Sequence, residues 1–170
     1  MLRIIILLVL FLTPLPALAT SPNVLVLHSY HPGLSWTDTL NTGIRETFRT
    51  EMPQALLWVE YLDTKRNTDT SYLSLQAALL SHKLADSVFN LIIATDNDAP
   101  EFVLEYRDSI FRGAPVVFCG VNDFRPEQLR GQKDITGLAE NPAFVETMRT
   151  ALSLHPDTSE FVIIGADQAI

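Results

Sequence analysis

One cysteine in 170 residues, Cys119, rules out an intrachain disulfide and leaves no thiol near residue 19 to receive a lipid. The chain has no Gly-x-Gly-x-x-Gly, no Gly-rich phosphate loop and no Gly-x-Ser-x-Gly elbow. Dinucleotide binding, P-loop chemistry and α/β-hydrolase catalysis therefore lack their motifs. Positive charge is also short, with 12 Lys and Arg against 20 Asp and Glu and a formal net charge of −8 at pH 7. An acidic chain repels phosphate backbones, so nucleic acid is not an expected partner. What is present is apolar: 47% of residues are hydrophobic and 19% charged, enough for a packed core.

The first residues have a different logic. Arg3 precedes an unbroken apolar run from Ile4 to Leu12, Thr13-Pro14-Leu15-Pro16 breaks it, and Ala17-Leu18-Ala19 follows. This is the layout of a secretory signal with cleavage after Ala19. The run is short of the roughly 20 residues a spanning helix needs, although an uncleaved anchor is the alternative. Either way the remainder is expected to be periplasmic or otherwise extracytoplasmic. Loss of Arg3 with the signal takes the net charge from −8 to −9.

Three continuous, largely β-branched runs, Val24–Leu27, Leu91–Ala94 and Val116–Phe118, suit strands buried on both faces of a parallel sheet. Leu56–Tyr61, Ile135–Leu138 and Phe161–Ile164 are further candidates. Helical periods lie between them. Trp36, Leu40, Ile44 and Phe48 mark one, and Tyr72, Leu75 and Leu79 a second, with Leu73, Leu80 and Leu84 alongside. Ala99, Phe102, Val103, Tyr106 and Ile110 mark a third, and Phe144, Met148, Ala151 and Leu152 a fourth. Repeated strand–helix alternation predicts an α/β, Rossmann-like doubly wound parallel sheet of order 2-1-3-4-5. The expected divisions are a signal over 1–19, a first lobe over 20–139, and the beginning of a second lobe over 140–170. A strand at Phe161–Ile164 needs neighbours and a crossover that do not follow it, so the sequence reads as a fragment of a longer protein.

In an open α/β sheet, ligands bind beyond the carboxyl ends of the strands where strand order reverses. That rule selects the segments after the strands: Ser29 and Tyr30, then Thr95, Asp96 and Asn97, then Asn122 and Asp123, with Trp36 as a flat apolar wall. Hydroxyls, amides and carboxylates beside aromatic surfaces suit a small polar solute, with no cofactor and no metal. Each residue also has a plainer role. Ser35-x-x-Asp38, Thr95-x-x-Asp98 and Asp98-x-x-Glu101 have the form of helix capping boxes, and Asn122-Asp123 has the form of a turn. Trp36 falls in the apolar period of its helix and so suits the core, and Lys65-Arg66 suits solvated surface. Two catalytic readings remain, His28-x-x-His31 as metal ligands and Cys119 as a nucleophile, neither with a partner placed nearby in sequence.

At the same residues a resemblance emerges. Val24-Leu-Val-Leu-His-Ser-Tyr-His-Pro-Gly33 with Trp36-Thr37-Asp38 resembles the start of substrate-binding proteins of the ABC-transporter type, in the class I periplasmic-binding-protein fold. It is nearest the variant found as the outer sensor domain of bacterial histidine kinases. Tyr61–Arg66, Leu91–Asp96, Pro115–Asp123 and Ile135–Gly137 continue the likeness in order. The resemblance implies two lobes joined by a hinge and closing over a solute. Ser29, Tyr30, Thr95–Asn97 and Asn122-Asp123 would form the first lobe's half of the cleft, and Glu140 would lie at the crossing. It implies a ligand-sensing input to a membrane signalling module, or alternatively a solute-uptake protein delivering to an ABC permease. From a different class, a secreted α/β enzyme acting through His28, Asp96 or Cys119 is the rival.

Overall fold

The computed structural model describes residues 21–162, so the signal proposed for 1–19 and residues Ile163 and Ile164 of the sixth strand lie outside the described residues. Five strands form one sheet: β1 (Asn23–His28), β2 (Leu56–Tyr61), β3 (Leu91–Thr95), β4 (Val116–Asn122) and β5 (Ile135–Glu140). Every pairing is parallel and the order is β2-β1-β3-β4-β5. The α/β, Rossmann-like reading and its 2-1-3-4-5 order therefore hold. Among the described residues four helices accompany the sheet, α1 (Ser35–Glu51), α2 (Thr70–Lys83), α3 (Asp98–Glu105) and α4 (Phe144–Leu154), with a 3₁₀ turn at Pro126–Leu129.

Alternation along the strands divides the apolar residues between two layers. Leu25 and Leu27 of β1, Ile92 and Ala94 of β3 and Val116 of β4 pack with Ala77 and Leu80 of α2 and Phe102 and Val103 of α3. Burying each such Val, Leu, Ile or Phe contributes about 1.5–3 kcal/mol. The opposite face carries Val24 and Val26, also fully buried, and α1 lies over it with Leu40, Ile44 and Phe48 half-buried. Helices on both faces explain why β1 is apolar without interruption. Cover thins towards the far edge, where Leu138 of β5 is 75% exposed.

Two helical expectations need correction. In α2 the residues turned to the core are Ala77 and Leu80, with Leu84 just beyond the helix, whereas Leu75 and Leu79 are exposed. That helix is apolar nearly all round, so leucine spacing alone does not select a face. The third helix stops at Glu105 and does not reach Ile110; Ile110 is buried from the turn that follows. The fourth, α4, forms as expected but leaves Phe144, Val145 and Leu154 exposed, and shares a shallow apolar recess with Phe161 and Val162. Phe161 and Val162 themselves are not in a strand.

Candidate functional site at the carboxyl edge of the sheet

Strand order reverses between β1 and β3, and the loops that leave their carboxyl ends meet there. The backbone turns off this edge through one left-handed aspartate after each of three strands: Asp63 (φ 56°), Asp96 (φ 65°) and Asp123 (φ 52°). After β1 the first residue at positive φ is Gly33 (φ 91°), five residues beyond His28. Aspartate accepts this region better than most side chains do, because its short carboxylate can bond locally. Asp63 shows how: it holds the Arg66 guanidinium through two hydrogen bonds of 2.7 and 2.6 Å and accepts another from Asn67. Those partners, Arg66 first, keep its carboxyl below the usual carboxylate range.

Beneath the edge, the polar groups are occupied by the fold. Ser29 is fully buried; its hydroxyl donates to the Thr95 carbonyl (2.6 Å) and accepts from the Ala99 amide (2.7 Å). It thus caps α3 from a neighbouring strand. The capping boxes proposed from local spacing are not formed at this helix, since Asn97 stands at the cap without a side-chain bond to the helix and Asp98 instead accepts from the Thr64 hydroxyl. At α1 the cap is Leu34, Ser35 makes no cap bond, and Asp38 reaches back to the Gly33 amide at 3.0 Å. Thr95 is likewise fully buried and lies 2.9 Å from Nδ1 of His28. Ser29 and Thr95 therefore support the edge and do not face a crevice.

Above them Asp96 and Trp36 form the centre of the site. The Asp96 carboxylate is 4% exposed and accepts from the Trp36 indole N–H at 2.6 Å and from the Thr95 hydroxyl at 3.2 Å. Burial pushes its pKa up, and the two hydrogen bonds oppose that shift in part. Trp36 is 44% exposed, so the expectation that it belongs to the core fails; its N–H is pinned inward while its ring meets solvent. Gly120 (φ 71°) makes room for the pair, since a Cβ there would come 3.3 Å from Asp96 Oδ1 and 3.6 Å from the Trp36 ring. Gly120 sits where β4 slips register against β5, between Cys119 and Val121.

The rim completes the arrangement. Tyr30 is half-buried with the Lys65 ammonium 4.5 Å from its ring centroid, a cation–π contact that removes Lys65 from plain surface duty. Burial, then the Asp96 and Asp98 charges, push the Tyr30 phenol up to about 12. Asn97 accepts from the Asn122 amide at 2.9 Å, tying the β3 and β4 loops together. Asn122 and Asp123 are exposed, Asp123 occupying its turn at positive φ. The structure thus brings Tyr30, Trp36, Asp96, Asn97 and Asn122 to one edge, with Ser29 and Thr95 under it. Lys65, read from the sequence as solvated surface, belongs to the same edge, as do Thr64 and Gly120.

The two catalytic alternatives find little support in this geometry. His28 is fully buried, bonds Thr95 and stacks on Tyr61 at 5.1 Å; burial lowers its pKa. His31 lies 3.4 Å from Asp63, an approach that is not a hydrogen bond. Among the described residues no group of three or more His, Cys, Asp or Glu is placed to hold a metal ion. Cys119 is partly buried, and burial with the nearby Asp96 and Glu140 charges raises its pKa, which keeps it a protonated thiol and a poor nucleophile.

Comparison with known proteins finds no match to a family model, a curated protein or a solved structure.

Proposed function

We propose that the chain is the first lobe of an extracytoplasmic solute-binding domain that serves as the sensing input of a membrane signalling receptor such as a sensor histidine kinase. The observation that carries this reading is Trp36: a solvent-facing indole held rigid by a buried carboxylate at the point where strand order reverses. Rigid aromatic surface beside a few placed polar groups is how small polar solutes are recognised. Tyr30, Asn97 and Asn122 supply those neighbours. The secretory pattern of residues 1–19 and the ordered resemblance over residues 23–165 support export and a two-lobed receptor. On this reading a second lobe closes on the edge, and a solute with higher affinity for the closed state drives the signal.

The test is titration of the full-length protein with a panel of amino acids, amines and small carboxylates, read by calorimetry. Saturable binding that Trp36→Ala and Asn97→Ala weaken at least tenfold supports the reading. Failure of every solute to bind, together with hydrolytic turnover that His28→Ala or Cys119→Ala abolishes, would replace it with a secreted α/β enzyme.

A further inference from the structure

β4 and β5 are neighbours in the sheet, and a parallel crossover ordinarily carries an α-helix across the strands it joins. Here residues 123–134 hold only the four-residue 3₁₀ turn Pro126–Leu129, and the helix before it, α3, has 8 residues. Two short elements do not cover the sheet as a full helix would. Between them lies a cavity of about 40 Å³. Its walls include Leu104 of α3, Val116, Phe118 and Val121 of β4, and Phe124 from the loop. The first four are buried, and Phe124 packs on Phe118 with ring centroids 4.7 Å apart.

The polar members of the lining are Asn97, Glu101 and Gln128, and all three reach solvent. Two of them are already committed: Asn97 Oδ1 accepts from the Asn122 amide, and Gln128 Oε1 from the Arg125 amide at 2.6 Å. A water settles in a cavity only with about two to four polar partners, and the buried side chains of the walls offer none. Cavities of this chemistry take apolar guests, and one of about 150 Å³ holds benzene. On that scale the space here suits an aliphatic end of about two to three carbons.

The cavity adjoins the candidate site. Asp96 and Gly120 meet Trp36, and the next residue after each, Asn97 and Val121, lines the cavity. Phe124 stands two residues beyond Asn122, so the apolar wall begins where the polar rim ends. We propose that this cavity is a subsite for the short aliphatic end of the bound solute, whose polar remainder stays on the rim formed by Asn97 and Asn122. The assignment rests on the solute-binding reading and adds a chemical class to it. The solute is a small amphipathic molecule with one apolar end, not a wholly polar one.

The test is carbon-13 methyl NMR of the full-length protein titrated with methanol, ethanol, propan-1-ol and pentan-1-ol. Shifts are expected at the methyls of Leu104, Val116 and Val121, with affinity rising about fourfold per added carbon up to propan-1-ol and no further gain at pentan-1-ol. Val116→Ile and Val121→Ile each add one carbon to the wall and are expected to weaken propan-1-ol at least fourfold. Leu75→Ile, exposed on α2, leaves it unchanged. Butylamine is expected to bind above methylamine, and Val121→Ile to remove that difference. Shifts spread over exposed methyls such as those of Leu138, affinity that climbs on to pentan-1-ol, or two filled variants that bind like the parent would each overturn the proposal. Solutes that bind through Trp36 while the alcohols stay out of the cavity overturn the subsite alone. Alcohols held in the cavity while every solute of the earlier panel fails overturn the solute-binding reading and not the aliphatic preference of the cavity.

Discussion

The indole N–H of Trp36 donates to Oδ1 of Asp96 across 2.6 Å, joining α1 to the first residue after β3. One partner is nearly buried and the other nearly half exposed, so the bond transmits the order of the sheet to a surface aromatic. Trp36→Phe keeps the ring and removes the donor. Hydrogen bonds to charged groups contribute about 1.5–3 kcal/mol, and partial exposure of this one puts the expected loss near the lower end. Urea unfolding of the variant checks the magnitude.

Two buried titratable groups give the fold an opposing pH dependence. The folded-state pKa of Asp96 is raised above its ordinary 3.8, so the native state holds that proton longer than the unfolded chain does. Its contribution to stability is therefore lost as pH rises from 3.8 through the raised value. His28 is lowered from 6.5, so its contribution is complete above 6.5 and is lost as pH falls through the lowered value. Asp96→Asn is expected to gain stability relative to the parent above the Asp96 window. His28→Gln is expected to lose the acid-side decline. Denaturation midpoints measured from pH 3 to pH 8 separate the two.

Ser29→Ala deletes two hydrogen bonds in one step. The Ala99 amide is left without a partner in the interior and the Thr95 carbonyl loses a donor. Loss of a cap costs about 0.5–2 kcal/mol, and an orphaned buried amide about 1–3. Chemical denaturation is expected to report a loss of about 2–3 kcal/mol, with amide exchange of Ala99 accelerated. A loss below the range for an ordinary surface substitution, about 0.5 kcal/mol, contradicts this account.

Glycine-to-alanine changes at two sites should have opposite signs. At Gly137 in β5, a Cβ would collide with the Phe118 carbonyl oxygen and ring, and the neighbouring strand cannot yield without losing its pairing. Overpacking of this kind costs about 1–3 kcal/mol. Gly43 lies inside α1 with nothing near its would-be Cβ, so Gly43→Ala is expected to gain about 0.5–1 kcal/mol of helix propensity. Thermal unfolding of the pair is a quick comparison.

Strand positions and order were readable because the β-branched runs of β1, β3 and β4 are continuous, which only a sheet covered on both faces requires. Helix faces were less so. The many leucines of α2 obscure which side is buried, and only contact with Leu25, Leu27 and Ile92 decides it. The site was legible by location and not by role. Residues after the strands do gather at one edge, yet Ser29 serves a helix start seventy residues away, a relation invisible to local spacing. Trp36 presented the reverse difficulty. Its place in an apolar period pointed inward, and only the Asp96 acceptor shows why the ring stands at the surface instead. The signal that was available for this pair is Gly120, a glycine inside the apolar run of β4.

The left-handed aspartates after β2, β3 and β4 bear on how such an edge can change over time. Each of these strands is followed within two residues by an aspartate in the left-handed region, so the segment beyond leaves the sheet from a similar backbone position. Loops of altered length or chemistry can then be exchanged one at a time while the sheet beneath keeps its pairing. A scaffold with stops of this kind can acquire new preferences by swapping loops, without refolding its core.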